Sequence, residues 1–160
     1  LNPLFRDELR ADFEHAKTMK NEALALRRLR DRLGEIRYMD PACGCGNFII
    51  VAYRELRDLE LAIMERLQEI TGDGEMLLAN VGLRVTLDHF YGIEIDEWPA
   101  RIAETAMFLI DRQCDLTLTE RLGWAPDRLP LQQQAKIVVG TAPRQDWSRV
   151  CPSTEAFVTR

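Results

Sequence analysis

The stretch Asp40-Pro41-Ala42-Cys43-Gly44-Cys45-Gly46-Asn47-Phe48 packs an acid, two cysteines and two glycines into nine positions. Three chemistries fit such a run. Paired cysteines can hold a metal or form a redox pair, and small residues after a strand can let the backbone approach a ligand. Metal binding fits poorly: Cys43-x-Cys45 is shorter than the usual zinc spacing of two to four intervening residues. The sequence holds only 2 histidines, and neither lies near a cysteine. The 4 cysteines, in a chain whose opening LNPLFRDELR lacks a secretory pattern, read as thiols of a cytoplasmic protein. We expect no metal, and we read Cys43 and Cys45 as small loop residues.

The third chemistry is cofactor binding. Gly44 and Gly46 lack Cβ atoms, so the chain can turn tightly there. The amides that open a helix at Asn47 would then face a ligand. A plain strand-to-helix turn remains the alternative. Two features favour a ligand without phosphate. Ile49 stands where a dinucleotide loop carries its third glycine, and Asp40 would repel a pyrophosphate. An acid suits an ammonium or sulfonium centre instead, as in S-adenosylmethionine. A second acid, Glu94 in "YGIEIDEW", sits near the end of another apolar run. There it can accept hydrogen bonds from ribose hydroxyls, or it can serve as a capping or edge acid.

These residues need elements to hold them. Apolar spacing predicts a helical segment over 4–33 stopped by Gly34, a strand over Ile36 to Met39, and a helix over 47–70 with an apolar face at Ile49, Ala52, Leu56, Leu59, Ile63, Leu67 and Ile70. Arg54, Arg57, Asp58, Glu65 and Glu69 are expected on its polar side. Residues 75–89 read as a short helix and a loop, and Phe90 to Ile95 as a second strand. Asp96 is expected to cap a helix running to about Gln113, its buried side at Ile102, Ala106, Leu109 and Ile110. A polar connection over 114–135, a third strand over Lys136 to Val139 and a loop-like 141–160 complete the order. Strands alternating with helices imply crossovers and a parallel sheet. The expected fold is α/β and Rossmann-like, about half of a doubly wound domain. An N-terminal helical segment (1–35) packs on a cofactor-binding half (36–160).

The 160 residues suffice for one core, and 46% hydrophobic with 29% charged residues is a globular composition. No apolar run approaches the roughly 20 residues of a membrane helix. A formal net charge of −5 argues against this chain gripping DNA by itself. The arginines at 27, 28, 30 and 32 alternate with acids and read as a solvated helix face. Trp98 is expected either near a cofactor base or in the core.

The motif Asp40 to Phe48, with "AYRELRDLE" (52–60) and "FYGIEIDEWPARIAETAMFL" (90–109), resembles DNA adenine-N6 methyltransferases. It is similar in particular to the large single-chain restriction-modification enzymes of type IIL and their methyltransferase relatives. The similarity runs from about Leu4 to Trp147. It implies the class I methyltransferase fold, S-adenosylmethionine as donor, and DNA contacted through domains outside this chain. Asp40, Pro41, Ala42, Gly44 and Gly46 would line the methionine part, with Cys43, Asn47 and Phe48 completing the motif. Glu94 would bind ribose and Ile95 would pack on adenine. Thr141 stands where relatives place Asn or Asp beside the adenine, and Asp146 is the other candidate. No Asn-Pro-Pro string occurs in the sequence, so no catalytic residue is assigned and the chain is expected to be inactive alone. A nicotinamide-dependent dehydrogenase fragment and a non-catalytic scaffold are the competing readings.

Overall fold

A computed structural model describes residues 3–72, 82–123 and 134–152. The predicted N-terminal helix is a hairpin of two: α1 (Pro3–Thr18) and α2 (Glu22–Glu35). The break falls at Asn21, whose side chain accepts from the Leu24 amide at 3.2 Å and caps α2. Leu9 and Ala16 on α1 meet Leu26, Leu29 and Leu33 on α2 in the core. Gly34 is not the stop. It lies inside α2, where an added Cβ would come within 3.1 Å of Arg84 Cβ, so the glycine admits a neighbouring chain.

Three parallel strands follow in the order β1-β2-β3: β1 (Tyr38–Asp40), β2 (Phe90–Glu94) and β3 (Lys136–Val139). Their register pairs Asp40 with Gly92 and Glu94 with Val139, which sets the carboxyl ends side by side. The crossovers are long helices: α3 (Asn47–Thr71) joins β1 to β2, and α4 (Glu97–Leu122) lies between β2 and β3. Both helices lie against the sheet and against each other, with α2 packed outside α3. Tyr53 and Phe90, both nearly inaccessible, meet edge to face at 5.0 Å between ring centres. The opposite face of the sheet carries Tyr91 and Ile93, closed over by Val150 from the short helix α5 (Trp147–Val150).

The predicted apolar face of α3 is buried as far as Leu67, while Ile70 stays exposed. Arg57 departs from its assigned polar side. It is buried, donating to Asp115 on α4 at 2.9 Å and to the Tyr53 hydroxyl at 3.3 Å. Arg30 is likewise no solvated arginine: it is 4% exposed, and its guanidinium reaches Glu60 at 3.1 Å and the Gly82 carbonyl at 2.7 Å. Glu60 also accepts from the amides of Arg84 and Val85. Two buried arginines thus tie α2, α3, α4 and the 82–85 segment together. A buried charge needs such partners, since an uncompensated one is very costly.

The expected end of α4 near Gln113 is short by nine residues, because Cys114, Leu118 and Leu122 continue its buried stripe. Its inner face agrees only in part with the one the sequence indicated: Ile110 packs against the core and Ala106 is half-buried. Ala100, Ala103 and Met107 are buried, whereas Ile102 and Leu109 are exposed. The small side chain of Ala103 lets α4 come close to the glycine loop, where a Cβ on Gly46 would lie 3.0 Å from Ala103 Cβ. Residues 82–86 are an irregular, bent loop and Leu87–His89 one turn of 3-10 helix; the rest of the 75–89 reading, 75–81, lies outside the described residues. Ala142–Arg144 forms another such turn, and with α5 it replaces part of the loop expected over 141–160. No helix among the described residues is long and apolar enough to cross a membrane.

Candidate functional site

The loop 41–46 leaves β1 at its carboxyl end and enters α3, as the sequence indicated. Its shape is fixed by three backbone hydrogen bonds. Cys43 N–H donates to the Ile93 carbonyl at 3.0 Å, Gly46 N–H to the Cys43 carbonyl at 2.8 Å, and Ile50 N–H to the Gly46 carbonyl at 2.9 Å. Gly44 and Gly46 adopt φ of 54° and 86°, the left-handed region where a Cβ is strained. Gly46 has a second reason to be glycine. A Cβ there would lie 3.0 Å from Ala103 Cβ and 3.3 Å from Ala103 Cα, so α4 closes the back of the loop. As the N-cap of α3, Gly46 offers no side chain, which leaves the first amides of the helix without a side-chain cap.

Asp40 and Glu94 both act on the loop. Asp40 Oδ1 accepts from the Ala42 amide at 3.0 Å, an Asx turn that bends the chain away from β1. Glu94 reaches across from β2: one carboxylate oxygen accepts from Gly44 N–H at 2.8 Å and the other from Asp96 N–H at 3.1 Å. Glu94 is half-buried at the strand's end, so the lone acid of this apolar strand has partners and does not enter the core. The backbone extends the arrangement to β3, where Gly140 N–H donates to the Glu94 carbonyl at 2.8 Å. The side-chain amide of Gln145 lies over Gly140, where an added Cβ would displace it. Thr141 follows directly and is half-buried beside this edge.

The structure thus assembles Asp40, Pro41, Ala42, Cys43, Gly44, Gly46, Glu94 and Thr141 along one carboxyl edge. Asn47 and Phe48 open α3, with Phe48 70% exposed, and Ile95 lies beyond β2 at 63% exposed. Trp98, 81% exposed, is not a core residue. Its helical position opposes Ala100 and Met107, so it begins an outward apolar stripe that continues at Ile102, Leu109 and Leu116. Asp96 precedes α4 but its side chain makes no capping bond. Asp146 does cap, accepting from Ser148 N–H at 3.1 Å, so its carboxylate serves α5.

Cys43 is buried between the loop and Gly92, and burial, reinforced by Asp40 and Glu94, pushes its thiol up to about 11. A thiol so held is a packing group at neutral pH, not a nucleophile. The residues that sequence reasoning missed here are Ala103 and Gly92. Ala103 is the wall behind Gly46. Gly92 is needed because a Cβ would sit 2.8 Å from Cys43 Sγ and 2.9 Å from Ile137 Cδ1. A glycine in the middle of an apolar strand is a signal of such close approach.

A parallel sheet with a glycine turn and cross-strand acid at its carboxyl edge fits the methyltransferase class, and comparison with known proteins places the chain there. The family described as the MmeI DNA-methyltransferase domain matches residues 13–159, and the chain belongs to it. DNA methyltransferase A of Bacillus subtilis is 36% identical over 162 aligned residues, covering 99% of this chain and 18% of that protein. A putative type II restriction enzyme and methyltransferase of Methanocaldococcus jannaschii is 34% identical over 96 residues, covering 60% of this chain and 8% of that protein. The solved structure of the type IIL restriction-modification enzyme MmeI in complex with DNA superposes with a TM-score of 0.76 at 37% identity. That match covers 92% of this chain and 19% of the MmeI chain. The chain therefore spans about a fifth or less of the length of these relatives.

Proposed function

We propose that this chain is the S-adenosylmethionine-binding part of a DNA methyltransferase that modifies adenine N6 within a restriction-modification enzyme. The observation that carries the reading is the carboxyl edge itself. A glycine turn with φ of 54° and 86°, an acid at its entrance and a second acid on the adjacent strand converge there. Asp40 lies where a cationic methionine moiety is favoured and a phosphate is not. Buried Ile49 puts a bulky side chain where a dinucleotide loop needs its third glycine for close helix–strand packing, which favours an S-adenosylmethionine loop over a nicotinamide one.

Bound at this edge, the cofactor supplies an electrophilic sulfonium methyl group. The chain's own residues bind and orient it. Asp40 and the turn from Pro41 to Gly46, with Asn47 and Phe48, hold the amino-acid end. Glu94 accepts from the ribose diol, since a carboxylate has about four acceptor sites and two are taken by backbone amides. Ile95 would offer an exposed apolar surface to the adenine, and Thr141 at the end of β3 is the further residue that would meet it. Residues that hold a flipped adenine and draw on its amino group belong to other parts of the polypeptide, as does the surface that grips DNA, given the formal charge of −5 here.

The test is calorimetric titration of the complete protein with S-adenosylhomocysteine and with NAD. The reading expects one site for the first and no heat from the second; heat from NAD alone would overturn it. Digestion of DNA methylated by the protein, followed by mass spectrometry, is expected to release N6-methyladenine and no methylcytosine.

A further inference from the structure

We infer that Glu94 is a positioning residue that builds the glycine loop, in addition to its place in the cofactor reading above. Its carboxylate bridges two separate backbone segments. One oxygen takes Gly44 N–H at 2.8 Å, fifty residues earlier in sequence, and the other takes Asp96 N–H at 3.1 Å. Around it the backbone zips the same way: Cys43 N–H on the Ile93 carbonyl and Gly140 N–H on the Glu94 carbonyl. Residues 93 and 94 are thereby the node at which the first loop, the start of α4 and the end of β3 are all fastened. Gly44 is the point in the loop most in need of such a tether. Its φ is 54° and a Cβ built on it would meet nothing within 4 Å, so that side of the turn is open.

This arrangement dictates an unusual chemical requirement. Both carboxylate oxygens face N–H donors, so both must accept. A carboxamide has one acceptor oxygen and one NH2 donor. In a Glu94→Gln variant the NH2 would be set against either Gly44 N–H or Asp96 N–H, leaving two donors face to face. If Glu94 served ribose hydroxyls alone, glutamine would be a mild replacement, because a hydroxyl both donates and accepts. The loop role makes it severe. Coupling between loop order and cofactor affinity rests on the reading above; the loop role stands without it.

The experiment is hydrogen-deuterium exchange of the complete protein without any cofactor, following peptides that span 39–48 and 93–98. Peptides from α2 serve as the control for folding. Glu94→Gln and Glu94→Ala are each expected to speed exchange in the two site peptides at least tenfold, with α2 unchanged. Glu94→Asp, one methylene shorter, is expected to fall between them and wild type. Wild-type exchange in the Glu94→Gln protein would overturn the inference, and would do so even if S-adenosylhomocysteine binding were lost. Faster exchange in a protein whose wild type binds no S-adenosylhomocysteine would uphold the loop role while removing the cofactor reading.

Discussion

Alanine at Gly44 and at Gly46 makes a matched pair of perturbations with different expected sizes. Both backbones are left-handed, at φ of 54° and 86°, and a side chain there costs about 1–2 kcal/mol. At Gly44 that is the whole cost, because nothing lies within 4 Å of the added Cβ. At Gly46 the methyl meets Ala103 Cβ at 3.0 Å and Ala103 Cα at 3.3 Å, closer than carbon atoms pack. The second contact is backbone and cannot rotate away, so α4 must move. Overpacking of this kind adds about 1–3 kcal/mol, for a sum of roughly 2–5 kcal/mol. At about 1.4 kcal/mol per decade, Gly44→Ala should raise opening of the loop some five- to thirtyfold, and Gly46→Ala from about thirtyfold to several thousandfold, up to the limit set by global unfolding. Exchange rates of the 39–50 amides report this directly. S-adenosylhomocysteine affinity should fall in the same order. Equal effects at the two positions would refute the steric argument, and a larger effect at Gly44 would invert it.

Further outcomes follow from the same packing. Gly92→Ala should destabilise by about 1–3 kcal/mol, since its Cβ would touch Cys43 Sγ, Ile137 Cδ1 and Ile49 Cδ1; adding Ile137→Val, which deletes one of those atoms, should restore part of the loss in thermal melting. Glu60→Ala strands buried Arg30 and the amides of Arg84 and Val85, and should cost about 3–5 kcal/mol, read as faster limited proteolysis around 82–86. At pH 8, iodoacetamide should label exposed Cys45 and spare buried Cys43 and Cys114, whose thiols are both pushed up to about 11 by burial. The sign for stability follows: above about pH 9 the unfolded chain releases these protons while the folded one retains them to about 11, so melting temperature should fall across that window. An unchanged melting temperature would mean the thiols are already open to solvent.

The sheet was legible because its strands are short apolar runs between loops of Asp, Pro and Gly, and the glycine turn because two glycines after an acid leave few other conformations. Asp40 and Glu94 stood out as acids beside apolar runs, and the structure brings both to one edge. What failed to show was anything decided by a neighbour distant in sequence. Arg57 and Arg30 read as surface residues because their partners Asp115 and Glu60 lie 58 and 30 residues away. The inner face of α4 was legible at Ile110, which packs on the core, but Ile102 and Leu109 were misassigned because hydrophobicity ranks them above Ala100 and Ala103, whereas the close approach at Gly46 selects alanine at 103. Glu94 illustrates the same limit: its position was visible, but its hold on Gly44 depends on how the two strand ends align.

The central claim is that a sulfonium nucleoside binds at the carboxyl edge of this sheet. A crystal structure of the complete protein with S-adenosylhomocysteine tests it most directly. The account predicts the amino-acid end on the Gly44–Gly46 turn near Asp40, and both ribose hydroxyls within about 3 Å of Glu94. Ligand density at any other edge of the sheet, or a ribose held by residues other than Glu94, would contradict it.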